Sequence, residues 1–243
     1  MRFDLHIHSC LSPCASLEMA PSAIARAARE RGLGGIAIAD HNSARNAQAF
    51  ATCCAREGVA ALFGLEVCTA EEVHALTIFD TVEQAMAMTA WVYDALVKRV
   101  NQPEVFGDQP VVDADDNIEE LEWRMLGFAT RRTVYEVGEH AHALGGLVVA
   151  SHVDRPSFSA FSQLGVLSGD EGFDAMELSR TADESRWRER TGAMPLVRSS
   201  DSHLLADLGL VWTEADLAAF TVAELRRVFR EGATTLSPPL TRF

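Results

Sequence analysis

Lysine is nearly missing from this chain: Lys98 is the single one among 243 residues. With arginine it makes 21 basic side chains against 35 acidic ones, a formal net charge of −14. A broad basic face for long nucleic acid needs clustered Lys and Arg, so no such partner is expected, and an anionic membrane surface is disfavoured for the same reason. No apolar run approaches the roughly 20 residues of a membrane-spanning helix. The opening Met1-Arg2-Phe3-Asp4-Leu5-His6 lacks the apolar core of a signal peptide. Internal repeats and low-complexity stretches are also missing, and nothing identifies a protein partner. Cysteines number five, with Cys53 and Cys54 adjacent, which points to a reduced cytoplasmic setting rather than a disulfide framework. What remains is a globular balance, 48% hydrophobic and 23% charged, in a length that suits one α/β domain. Bound divalent cations can reverse the local field in a cleft, so a small phosphorylated ligand stays compatible with the acidic total.

Strand and helix signals alternate. Phe3–His8 reads as a strand ending in histidines, and Pro21–Arg31 as a helix with Pro in its first turn and Gly32 at its end. The apolar run Gly35–Asp40 reads as a strand and Ser43–Arg56 as a helix; Val59–Thr69 and Val73–Phe79 are further strands. Asp80–Glu83 has a capping-box pattern that opens a helix to about Arg99. Asn101–Asn117 reads as a long loop, with a helical pattern resuming at Ile118. A second capping box, Thr133–Glu136, starts a helix stopped by Gly145-Gly146. Strands follow at Leu147–Ser151, Ala175–Leu178 and Leu196–Ser199, and Thr221–Glu224 caps a last helix ending at Gly232. Apolar, non-alternating strands between helices indicate a parallel sheet or barrel. A single domain over 1–243 is expected, with a helix-and-loop insertion at about 80–132.

Potential metal ligands gather at the strand ends. His6 and His8 are two apart on a strand, so their imidazoles share a face, and Asp201 and His203 repeat the spacing. His41 follows its strand directly, Glu66 and His74 lie in the next two strands, and His152 follows Leu147–Ser151. In a parallel α/β barrel the C-terminal strand ends converge on one rim, where these eight residues would meet. Imidazole with carboxylate suits Zn, Mn or Fe better than Mg or Ca. Eight ligands exceed the needs of one ion and suit two or three, which can activate water and clamp phosphoryl oxygens. His140 and His142 have the same spacing inside a helix, where they point roughly 200° apart, and are assigned to surface or packing.

DLHIHS (Asp4–Ser9), ADHNS (Ala39–Ser43), GLE (Gly64–Glu66), the His74 strand, ASH (Ala150–His152) and SDSH (Ser200–His203) resemble the polymerase-and-histidinol-phosphatase (PHP) superfamily. The resemblance spans nearly the whole chain and implies a distorted seven-stranded (β/α) barrel with a two- or three-metal phosphoesterase site. It implies that Glu66 bridges two ions, with His6, His8 and Asp201 on one side and His74 and His152 on the other, while His41 and His203 hold a third. The family's usual Asp-Gly after H-x-H-S-x-x-S is replaced by Pro13-Cys14. Cys14 or Glu18 could supply the missing ligand, or the third site could be weak or empty. CLSPC, SHVDRPSFS (Ser151–Ser159) and GDQ (Gly107–Gln109) look like the marks of a PHP subgroup.

The reading is a metal-dependent hydrolase of a small phosphomonoester, with Glu66, His41 and His8 at the chemistry. Arg155, then Arg45 and Arg180, are candidates to bind the phosphate, since an arginine fork suits non-bridging oxygens. Asp40 either orients an imidazole or caps a helix, and Cys68 reads as packing. Alternatives are a non-catalytic regulatory PHP module and a phosphodiesterase or exonuclease acting on a short oligonucleotide. An amidohydrolase commonly needs a strand-end lysine, which Lys98 does not provide.

Overall fold

The computed structural model describes residues 1–241. In chain order its elements are β1 (Arg2–Ile7), α1 (Pro21–Glu30), β2 (Gly35–His41), α2 (Ala47–Glu57), β3 (Ala60–Cys68), β4 (His74–Phe79), α3 (Val82–Ala95), α4 (Pro103–Phe106), β5 (Pro110–Val112) and β6 (Ile118–Leu121). There follow α5 (Val134–Ala143), β7 (Leu147–Ala150), α6 (Ala160–Leu164), β8 (Ala175–Leu178), α7 (Glu184–Thr191), β9 (Leu196–Arg198), β10 (Thr213–Ala215), α8 (Val222–Glu231) and β11 (Thr234–Leu236).

The main sheet has nine strands in the order β11-β10-β1-β2-β3-β4-β7-β8-β9. It curls back on itself. Past the end of β9, Ser202 bridges Ile7 in parallel, and the His8 N–H donates to the Ser202 carbonyl at 3.1 Å. The strands from β1 round to β9 are the expected seven. The other two, β10 and β11, form an added antiparallel pair that enters beside the start of β1, with Phe3 opposite Thr213. There the Thr213 hydroxyl accepts from the Arg198 N–H at 2.8 Å and donates to the Arg198 carbonyl at 3.0 Å, tying β10 to β9 where β1 and β9 diverge.

Two apolar layers explain why the strands do not alternate. Phe3, Leu5, Ala37, Leu62, Leu76 and Val149 pack into one cluster with Leu225 and Phe229 of α8. Ile36, Ile38, Phe63 and Leu65 pack into another with Ile24 of α1, Phe50 of α2 and Met88 of α3. Strands buried on both faces show no polar side. A bulge in β1 between Asp4 and Ile7 shifts the register against β2 by one residue. The alternation therefore slips, and the face that carries Phe3 and Leu5 carries His6 and His8 at its upper end.

One strand breaks the parallel pattern. β4 runs antiparallel to both β3 and β7, and its first residue, His74, lies opposite Cys68 at the end of β3. His74 reaches the rim by starting a reversed strand, not by ending a parallel one. The connection Thr69–Val73 between β3 and β4 is short enough for a hairpin turn, with the Thr69 N–H donating to the Val73 carbonyl at 2.9 Å.

The segment between β4 and β7 departs most from expectation. The capping box of α3 is set one residue later, with Thr81 and Gln84 exchanging bonds. The stretch expected as loop holds α4 and β5, and Ile118–Leu121 is strand β6 rather than helix. Asp113 Oδ1 accepts from the N–H groups of Asp115 and Asn117 at 2.8 and 2.9 Å, turning the chain so that β6 pairs with β5. All four β6 side chains are exposed, so no buried helical stripe was there to read. The expected box at Thr133–Glu136 forms as written. His140 stacks on Trp91 at 4.3 Å and His142 Nε2 meets Asp174 Oδ2 at 2.8 Å, both outside the rim cluster. Among the described residues no helix is long and apolar enough to cross a membrane.

Candidate metal centre

All eight rim candidates come together. Glu66, 1% exposed at the upper end of β3, stands at the middle. Its Oε1 lies 3.4 Å from His6 Nε2, 3.1 Å from His74 Nδ1 and 3.2 Å from His152 Nε2. Its Oε2 lies 3.1 Å from His41 Nδ1 and 3.6 Å from His8 Nε2. Asp201 Oδ1 faces His8 Nε2 at 3.2 Å, His6 Nε2 at 3.4 Å and His203 Nδ1 at 3.5 Å. Three sets of donor atoms are close enough to share an ion: His6, His8 and Asp201; His8, His41 and His203; and His41, Glu66 and His74.

Buried partners behind two of the rings fix which nitrogen looks inward. His6 Nδ1 lies 3.0 and 3.2 Å from the two oxygens of Glu177, which is fully buried on β8. A carboxylate only accepts, so Nδ1 carries the proton and Nε2 turns a lone pair to the rim. Behind His8, the Ser12 hydroxyl donates to Asp40 Oδ1 at 2.7 Å and accepts from His8 Nδ1 at 2.9 Å. Asp40 also accepts from the Ser9 N–H and hydroxyl, so it both orients an imidazole and folds the Ser9–Ser12 turn. The two outcomes converge: His6 Nε2 and His8 Nε2 sit 3.1 Å apart, both facing Glu66 and Asp201.

Lone pairs and carboxylates packed this closely need positive charge between them. Protons answer that need without metal. Burial alone would disfavour a charged His6, but the carboxylates of Glu177, Glu66 and Asp201 hold its pKa well above the usual imidazole value. Burial raises the Glu66 carboxyl, yet His74, His6, His152 and His41 outweigh it and hold Glu66 well below its ordinary range. Glu66 Oε1, His74 Nδ1 and His152 Nδ1 are buried without a hydrogen-bond partner. The close N···O contacts are therefore poorly aligned as hydrogen bonds. The donor set fits divalent ions, with nitrogen and carboxylate oxygen together suiting Zn, Mn or Fe.

The backbone is bent to bring these groups in. His152 and Asp201 adopt φ of 29° and 47°, left-handed values that non-glycine residues rarely take. Such conformations persist where the surroundings over-determine them, and they collect at functional sites.

The remaining candidates divide. Arg155 pairs with Asp201 Oδ2 and shares a cleft of about 230 Å³ with Arg180, Ser179 and Ser200; Arg180 also pairs with Asp207 at 2.8 Å. Arg45 is engaged by Glu122 at 3.1 Å and by Glu120, and holds β6. Both Cys14 and Glu18 are exposed, but Cys14 Sγ lies 3.1 Å from His203 Nε2. Burial pushes the Cys14 thiol up, but His203 and His41 outweigh it and bring its pKa down to about 6. Cys68 is buried at the end of β3 opposite His74, and burial pushes its thiol pKa up to about 12, in keeping with packing rather than with a thiolate ligand. Glu177 escaped the sequence reading. Its signal was a lone carboxylate inside an apolar strand, AMEL, where an unpaired charge would be costly.

Residues 4–163 match the model of the PHP domain, and residues 186–234 match that of a PHP-associated segment. A comparison with curated proteins returns no match. Among solved structures, the lesion-specific endonuclease PfuEndoQ from Pyrococcus furiosus aligns with a TM-score of 0.70 at 21% identity, over 97% of this chain and 57% of its own. Endonuclease Q in complex with a 27-mer duplex carrying an abasic lesion aligns with a TM-score of 0.68 at 22% identity, over 95% of this chain and 56% of its own. This chain thus spans little more than half the length of those endonucleases. A protein from Bifidobacterium adolescentis assigned as a metal-dependent phosphoesterase aligns with a TM-score of 0.59 at 21% identity, over 83% and 87% of the two chains. The duplex complex corrects one expectation. No long nucleic acid is expected from a net charge of −14, but a protein of this fold holds a duplex at its active site, so that partner class is not excluded. Local fields in a cleft, set by bound cations, can differ in sign from the whole molecule. With its domain model matched over most of its length, this chain belongs to the PHP domain family.

Proposed function

We propose that this protein is a metal-dependent phosphoesterase acting on a small phosphomonoester, with two or three divalent ions held by His6, His8, His41, Glu66, His74, His152, Asp201 and His203. The observation that carries the reading is the pair of inward nitrogens, His6 Nε2 and His8 Nε2, 3.1 Å apart and facing two buried carboxylates. Ions bound there supply Lewis-acid polarisation of phosphoryl oxygens and activation of water at neutral pH.

The chain's own groups do the rest. Glu66, with histidines on both oxygens, is the carboxylate that would be shared between ion subsites. Glu177 and the Ser12–Asp40 pair keep the His6 and His8 lone pairs aimed inward. Arg155, seated on Asp201 with Arg180 in the same cleft, offers its fork to the non-bridging oxygens. Arg45 is left out of this role because both of its terminal nitrogens are engaged, by Glu120 and by Glu122, whereas Arg155 gives one to Asp201. The Cys14 thiol, 3.1 Å from His203 Nε2, is the candidate for a further ligand to a third ion. Lys98, in the segment after α3 rather than on a strand, supports a phosphoester over an amidohydrolase reading.

The test is phosphate release from a panel of phosphomonoesters by protein loaded with Mn, Zn or Fe, alongside a short oligonucleotide and a duplex. Metal-dependent turnover that is lost in a folded Glu66→Gln variant supports the proposal. A fully loaded protein that leaves every monoester intact overturns it.

A further inference from the structure

We infer that the cavity over His41 and His74 receives the organic half of the phosphoester, and that this half carries a flat aromatic ring. The inference rests on the phosphoesterase reading and adds the substrate class. The cavity holds about 400 Å³, within the roughly 300–1,000 Å³ range of small-molecule sites. Cys14, His41 and His74 form its floor; Val105, Phe106, Met125, Phe128 and Phe158 form its walls. Anything bound there touches residues of the ion cluster.

Polarity divides the surroundings of the cluster. The cleft beside Asp201 carries Arg155 and Arg180 and is suited to a phosphate. The cavity over His41 and His74 is almost wholly apolar in its walls, which suits the other end of the same molecule. Water and free phosphate would gain nothing from three phenyl rings there.

The rings are held in place rather than left over from packing. Phe158 is 41% exposed, has a φ of 57° and stacks on His74 at 4.8 Å with planes 28° apart. An aromatic residue in the left-handed region is strained, and the strain is held by the His74 N–H donating to the Phe158 carbonyl at 2.9 Å. Facing it, Phe106 meets Phe128 edge to face at 5.9 Å. Asn42, next to His41, donates from Nδ2 to the carbonyls of Leu126 and Phe128 at 2.7 and 2.9 Å. Gly107 passes so close to Pro13 that a Cβ there would lie 2.7 Å from the Pro13 carbonyl oxygen. The segment between β4 and β7 is thereby fastened against the cluster, and its apolar wall has a fixed position. Partly exposed rings at fixed spacing make a stacking surface, and such contacts favour flat π-systems over aliphatic groups.

Calorimetric binding of benzylphosphonate and methylphosphonate to the Mn-loaded full chain tests this without needing turnover. Benzylphosphonate is expected to bind about tenfold more tightly, in line with one stacking contact. That preference should fall to about threefold or less in Phe158→Asn, where Asn tolerates the positive φ, and in Phe106→Ala, with thermal melting as the control for folding. Equal affinities in the wild type, or a preference that survives both substitutions, overturn the inference and leave the phosphoesterase reading standing. Failure of both phosphonates to bind overturns the two together. Tighter binding of adenosine 5′-monophosphate than of benzylphosphonate assigns the ring to a nucleobase, and the reverse assigns it to a simple aryl group.

Discussion

Single side chains behind the rim decide what the rim can hold. His6 and His8 were legible because H-x-H on a strand must share a face, but of the groups that aim them only Asp40 was a candidate in the sequence. Ser12, which links Asp40 to His8, shows its role only in the fold, and Glu177 belongs to a strand otherwise read as apolar. Removing the charge of Glu177 tests their weight. In Glu177→Gln the His6 Nδ1–H loses a charged acceptor, and metal affinity is expected to fall about 10–100-fold, as for other such supporting groups. Competition with a chromogenic chelator measures it, and unchanged affinity would show that His6 is oriented by packing alone. The arginines taught the converse. All three lie near strand ends in sequence, yet only the fold reveals that Glu120 and Glu122 occupy Arg45.

Elements carry these residues to one place, and two of the joints are open to test. Gly64 sits where β3 meets β4; a Cβ there would lie 2.2 Å from the Thr77 carbonyl oxygen. Gly64→Ala must push apart the strands bearing Glu66 and His74, and a loss of about 3 kcal/mol is expected in urea unfolding. The α5–β7 joint is electrostatic. Burial raises the Asp174 carboxyl, but bonds from His142 and the Val148 N–H, with Arg226 nearby, outweigh it and hold the pKa below 3.8. A depressed folded-state pKa stabilises above the unfolded value and loses that contribution as pH falls through the folded one. Asp174→Asn is therefore expected to cost about 1 kcal/mol at neutral pH, with the gap to wild type closing as pH falls below the ordinary aspartate range and through the depressed folded-state value. A gap that stays constant with pH would assign the loss to packing. Helix starts were legible where both halves of a capping box are written, as at Thr133 and Glu136. Strand direction was not, because β4 has the same composition whichever way it runs. The β5–β6 hairpin was hidden for another reason: exposed strands have no apolar period.

At the scale of the whole molecule, a sheet or barrel was readable from apolar runs between helices, since strands buried on both faces leave that trace, whereas the strand order was not. The late pair β10–β11 left none: its strands are three residues each, like β9, but are not buried along their length as β9 is. The expectation of no long nucleic acid does not hold for this fold, since a protein that shares it binds a duplex, and a field is made locally. If divalent ions hold the six strands together at the rim, their removal should be felt globally by mass action. Thermal melting in the presence of a strong chelator is expected to drop by several degrees, about 3 °C per kcal/mol for a chain of this size, and to recover on reloading. No shift would mean that the cluster is held by its protons and hydrogen bonds.

Counting the ions puts the question directly. Elemental analysis of protein reloaded with manganese and freed of excess is expected to find about two or more ions per chain, falling by at least about one in Glu66→Ala while the variant keeps its fold. Less than about one ion per chain in the wild type under saturating metal would contradict a multi-ion centre, whatever the proximity of the histidines.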